Sequence, residues 1–238
     1  MKIACLQPTF RAVLTAFRGL LLVVLASVCV TGCAGWAPWK DKEQMRRNEE
    51  KYGPTADQRI KTLKQQVKAA KGGSSESQLV FTQELIQQML EEHDPRVRCA
   101  ILQSAVDFDT PGALAICRGG LDDPNERVRT EACRGWRKRG GEEAVKLLSA
   151  RYQSDPELDV RLESLRMLGD LQEKTSIPLL AKALEDHDPA VQYRAVMALK
   201  KVSGKDLGDD VNKWREWAAD PNAKAKEWSV AEAFQQLF

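Results

Sequence analysis

Few residues in this sequence have the type and spacing that chemistry needs. The two histidines, His93 and His187, lie 94 residues apart, and each directly precedes an Asp-Pro pair. They therefore belong to equivalent turns, not to the close set of ligands that a metal ion requires. Of the six cysteines, Cys5 and Cys29 fall in an N-terminal leader and Cys33 closes it. The remaining three, Cys99, Cys117 and Cys133, have no zinc-like spacing. Cys133 sits on an apolar helical stripe and reads as a small buried side chain. A disulfide between Cys99 and Cys117 stays open as an alternative, since disulfides persist in exported proteins. No Gly-rich phosphate loop, Ser/His/Asp set or paired-acid signature occurs. The sequence thus assigns no catalytic residue, no metal site and no cofactor, and the chain is expected not to be an enzyme.

Cys33 is the exception. Residues 1–18 form a basic leader, and GLLLVVLASVCVTGC then supplies an apolar run of about a dozen residues, the length of a secretion signal and too short for a membrane span. The run ends in Val30-Thr31-Gly32-Cys33, which resembles the lipobox of bacterial lipoproteins. That resemblance implies cleavage before Cys33, acylation of its sulfur, and several fatty chains holding the mature protein at a bilayer, where one chain would bind only marginally. Residues 1–32 are then a signal peptide, and the expected address is the cell envelope. Ala34, where an aspartate would retain the protein at the inner membrane, favours the outer one. A plain signal peptide cut elsewhere and an uncleaved anchor are the alternatives.

The elements that must follow come from a repeat. VRCAILQSA from Val97, VRTEACRGW from Val128, VRLESLRML from Val160 and VQYRAVMAL from Val191 recur at intervals of 31, 32 and 31 residues. Positions four, five and eight after each valine are mostly apolar, which is one helical stripe. Upstream stand Asp94-Pro95, Asp123-Pro124, Asp155-Pro156 and Asp188-Pro189. Aspartate can accept a hydrogen bond from a free N–H of the first helical turn, and proline fixes φ where no N–H partner exists. Before each such helix lies another apolar helical segment. In the first unit it carries Leu79, Phe81, Leu85, Ile86, Met89 and Leu90.

This pattern resembles the HEAT-repeat family over residues 77–202. The resemblance implies an all-α fold, an α-solenoid of about four antiparallel helix pairs, with second helices lining a concave face where a protein partner would sit. It also implies a ladder in which the arginine after each valine bonds an aspartate of the adjacent unit. Asp94, Arg98, Asp123, Arg129, Asp155, Arg161 and Asp188 are its expected members, and Gln192 departs from it.

The flanks complete the layout. Residues 33–54 read as a polar, solvated tether, with Trp36 and Trp39 either at headgroup level or plain linker residues. Residues 55–76 hold a helix opened by the capping-box pattern Thr55-x-x-Gln58 and expected to dock on the array's first end. Its basic residues Arg59, Lys61, Lys64 and Lys68 are a solvated face or a headgroup contact. The array occupies 77–203, and 204–238 is a capping helix and tail. Trp214, Trp217, Trp228 and Phe234 there are either cap residues or a partner-binding surface. Removing Lys2, Arg11 and Arg18 from the 36 basic residues leaves 33 against 34 acidic ones, a net charge of −1, which speaks against nucleic-acid binding. The resulting expectation is a lipid-anchored scaffold or adaptor for an unknown protein partner. The alternative is a lyase-type enzyme or enzyme chaperone holding substrate in the concave face.

Overall fold

The computed structural model describes residues 38–220, and its helices are α throughout apart from one 3-10 turn; no strand occurs among the described residues. The chain divides into two compact units, Met1–Thr55 and Ala56–Phe238.

In the first unit, α1 (Pro38–Tyr52) stands where the sequence suggested an unstructured tether. The composition explains the difference. Lys, Glu, Gln, Arg and Met are good helix formers, and Arg47–Glu43 and Arg46–Glu50 pair across one turn at 3.8 and 3.7 Å. Residues 42–52 are all exposed, so the solvated character expected of this stretch holds while its conformation does not.

The second unit is a stack of two helical rows. One row contains α2 (Ala56–Lys71), α4 (Pro95–Ala105), α6 (Glu126–Arg139), α8 (Leu158–Leu171) and α10 (Pro189–Ser203), each packed on the next. Against it lie α3 (Ser75–Glu91), α5 (Pro111–Gly120), α7 (Gly141–Ser154) and α9 (Ile177–Ala183), the last entered through a 3-10 turn at Lys174–Ser176. The repeat valines Val97, Val128, Val160 and Val191 are all buried, as are the stripe residues behind them, from Ile101 and Leu102 to Val196 and Leu199. Burying such a side chain is worth about 1.5–3 kcal/mol, and each is buried largely by its neighbouring units, so the period of the valines is the period of the packing.

The docking helix is more than an appendage. With Leu63 and Val67 buried, α2 packs on α4 as a second-row helix, and among the described residues of this unit no first-row helix precedes it. The row with α3 thus begins one member late. Leu79 (45% exposed), Val80 (55%) and Leu90 (75%) of α3 consequently face solvent, although Leu79 and Leu90 read as core from the helical period. Phe81 and Leu85 are buried as expected.

The other end is closed. In α11 (Val211–Ala219) Trp214 is completely buried, and its indole N–H donates to the Gly208 carbonyl at 2.8 Å. Trp217 packs edge-on against it at 5.5 Å between ring centroids. Arg215 reaches back to the Leu184 carbonyl at 2.6 Å, tying the cap to the last unit. Of the two readings of Trp214, only the cap survives, because an indole with no exposed surface has nothing to offer a partner.

In the second row, α8 and α10 approach closely at Gly169. A Cβ on Gly169 would lie 2.7 Å from the Ala198 Cα, whereas one on Gly119 of α5 would meet nothing within 4 Å. Gly169→Val should therefore force two backbones apart and cost about 1–3 kcal/mol, lowering Tm by several degrees in thermal denaturation. Gly119→Ala should leave Tm unchanged or raise it slightly, since helical alanine is favoured over glycine by about 1 kcal/mol. Equal effects of the two substitutions would contradict the packing described.

Candidate functional site

The charged side chains of the stack follow one geometric rule, counted from the valine. Five residues before it is a carboxylate, namely Glu92, Asp123, Asp155 and Asp186. Three before it is the residue that starts the second helix, namely Asp94, Asn125, Glu157 and Asp188. In all four units the carboxylate accepts the backbone N–H of that starting residue, at 2.7, 2.8, 3.0 and 2.9 Å. One residue after the valine is Arg98, Arg129, Arg161 or Gln192.

Two of these arginines clamp two units at once. The Nε and Nη2 of Arg98 donate to the Asp123 carboxylate at 2.8 Å each, while its Nη1 donates to the carbonyls of Glu92 and His93 in its own turn. Arg129 repeats this on Asp155 at 2.8 and 2.9 Å, with Nη1 on the carbonyls of Asp123 and Pro124. The parallel two-bond geometry is the strong form of the arginine–carboxylate pair. The series starts earlier than the repeat does, because Arg59 of α2 makes the same fork on Glu92 at 2.9 and 3.1 Å.

Three expected ladder members need correction. Asp94 and Asp188 are not ladder residues: they cap α4 and α10, accepting the N–H of Arg96 and of Ala190. The Asp-Pro dipeptide marks the cap in the first and last units and the rung in the middle two, where two more residues intervene before the valine. The rung acids of the outer units are Glu92 and Asp186. Arg161 makes no rung at all: its guanidinium has no hydrogen bond or ion pair among the described residues. Cys99 and Cys117 are free thiols, not a disulfide. Gln192 departs as expected, keeping only the inward half of the clamp through a 2.6 Å bond to the Asp186 carbonyl.

Outward from the ladder, the second row carries a groove of about 600 Å³ that crosses α4, α6, α8 and α10. Cys99, Thr130 and Leu162 line it together with the charged Arg127, Arg134, Glu163 and Arg194. Glu163 takes Arg134 at 2.7 Å and Arg166 at 2.6 Å; burial raises its pKa, but these two guanidinium bonds outweigh it and the carboxyl stays below its ordinary value. Burial pushes the Cys99 thiol up to about 11, so it is protonated and a poor nucleophile. The exposed Tyr193 of α10 lies on the same row. At the ends of these helices a second set of charges alternates in sign: Lys71 pairs with Asp107, Asp107 with Lys138, and Asp170 with Lys201.

The model of HEAT repeats matches residues 82–165 and 153–233. The chain belongs to the HEAT-repeat family. The second match runs beyond Val202 through the capping helix α11. None of the curated proteins matches the chain. The HEAT array is a helical-repeat scaffold of the kind that serves protein interaction. No group of three or more His, Cys, Asp or Glu able to hold a metal occurs among the described residues. Cys33, Trp228 and Phe234 lie outside the described residues, and Trp217 is half-buried against the cap. No described helix is long and apolar enough to cross a membrane.

The inner rung is the driest, with the Arg129 side chain 9% and the Asp155 side chain 0% exposed. Burial raises the Asp155 pKa, but the bonds from Arg129 and from the Glu157 N–H outweigh it, leaving the carboxyl below its ordinary 3.8. A depressed pKa stabilises the fold above the ordinary value and loses that contribution as pH falls through the folded one. Asp155→Asn should strand a buried guanidinium and cost about 3–5 kcal/mol at neutral pH. Denaturant titrations between neutral pH and about pH 3 should show the loss shrinking as acid protonates Asp155 in the parent protein. A loss that is constant with pH would contradict the assignment.

Proposed function

We propose that this HEAT array is a scaffold anchored through an acylated Cys33 at the membrane of a bacterial cell envelope, holding a protein partner on its second-helix row. The observation that carries the reading is the groove shared by α4, α6, α8 and α10. A surface contributed by all four units grips an extended segment along the stack, which no single helix pair could do. Its lining mixes the apolar Leu162 with charged residues, as protein interfaces do. The anchoring half rests on the lipobox-like Val30 to Cys33 and the polar stretch after it, whose helix α1 exposes its side chains from Lys42 to Tyr52.

Photo-crosslinkers placed at Thr130, Leu162 and Tyr193 of the full chain in intact cells should give a discrete protein adduct, and ones at Arg118 and Lys146 on the first-helix row should not. Cys33→Ser should abolish acyl labelling and move the protein out of the membrane fraction. Adducts confined to the first-helix positions would overturn the groove, and acyl labelling that persists without the thiol would overturn the anchor.

A further inference from the structure

The third rung breaks the rule that the others obey. Asp186 stands five residues before Val191, and its Oδ1 accepts the Asp188 N–H at 2.9 Å as in every other unit. Its Oδ2, the oxygen that receives Nε of Arg98 and Arg129 in the equivalent aspartates, instead faces the Tyr152 hydroxyl at 3.4 Å. Arg161 is left aside. Its Nε is sealed from solvent without a partner, and its guanidinium borders a cavity of about 390 Å³ lined also by Tyr152, Gln153, Lys182, Glu185 and Asp186.

The charges around this cavity are unequally committed. Glu185 is paired with Arg215 of the cap at 2.8 Å, and Asp186 is held by Asp188 N–H and Tyr152. Neither the Arg161 nor the Lys182 side chain is hydrogen-bonded or ion-paired among the described residues. Two free cations therefore share a concavity whose two acids already have partners. Positions equivalent to Arg161 take a carboxylate by two parallel N–H donations in both preceding units, a shape match that a guanidinium offers and an ammonium does not.

We infer that this cavity is a receptor for an acidic side chain of a protein partner, with the terminal Nη1 and Nη2 of Arg161, which unlike Nε are not sealed, supplying the donors and Lys182 a second charge at the rim. Tyr152 holds Asp186 away from Arg161, so the fork stays available to a carboxylate from outside the chain. The site lies on the turn edge of the third and fourth units, beside the groove; that its ligand is a protein segment rests on the scaffold reading above.

The test uses the full chain and a fluorescein-labelled Gly-Glu-Glu-Gly amide, with binding followed by polarisation. Arg161→Gln and Lys182→Gln should each weaken binding, the former by about tenfold or more. Arg161→Lys should recover only part of the loss. Asp186→Asn, which keeps an oxygen for the Asp188 N–H but removes the internal competitor, should tighten binding. A merely structural role for Arg161 would not produce opposite effects at positions 161 and 186. Lys182 is exposed on α9, so its variant reports on the site even where Arg161→Gln fails to fold. Unchanged binding in the Lys182 and Arg161 variants overturns the proposal. So does equal competition by inorganic phosphate and acetate at matched ionic strength, which would mark an adventitious ion only. Because the probe is synthetic, loss of the crosslinked partner would defeat the scaffold reading and leave this result standing, and the reverse also holds.

Discussion

The arginine fork, made by Arg98 and Arg129 one residue after a repeat valine and by Arg59 ahead of them, is the interaction on which the stack depends. A helix pair presents apolar surface on both sides, and hydrophobic burial alone sets neither how far the next pair rotates nor where it stops. The Arg98 and Arg129 forks add direction. Each ties the carbonyls of its own turn to a carboxylate that is itself fixed by the backbone N–H at the start of the next second helix. A helix start in one unit is thereby bonded to a helix start in the next, and the rotation between units is limited to what a planar fork permits. The apolar core supplies the larger share of the energy, and the forks select one arrangement of it.

The series ends where other devices take over. Arg161 forms no rung, yet the same junction carries the close approach of Gly169 to Ala198, so direct backbone contact replaces the fork in fixing the distance between α8 and α10. Beyond Gln192 the last surface is covered by the buried Trp214, and Arg215 holds the end of the preceding helix. A helix carrying tryptophan and arginine thus performs at the terminus what a valine and an arginine perform inside.

Much of this was legible before any coordinates. The valine interval gives the unit length, and the stripe behind each valine gives the core face, as the complete burial of Val128, Val160 and Val191 shows. The ladder acids were harder to read. Asp-Pro is the most visible feature of every turn, but its distance from the valine changes by two residues between units, so it names the cap in one place and the rung in another. Counting from the valine would have found Glu92 and Asp186. Two features had no local signal. The exposure of Leu79 and Leu90 depends on which neighbour α3 lacks, and the interception of Asp186 by Tyr152 depends on a residue 34 positions away. For α1 the signal was its helix-favouring composition, which needs no apolar face.

The alternating charges at the ends of the second-row helices bear on how the chain sorts its own repeats. Read along the row, Lys71, Asp107, Lys138, Asp170 and Lys201 change sign at every step. Neighbours in sequence attract, while units two apart carry the same sign. A folding chain that skipped a unit would place Asp107 against Asp170 or Lys138 against Lys201. Like charges set face to face are unfavourable, so the alternation favours the native order of neighbours over one that skips a unit.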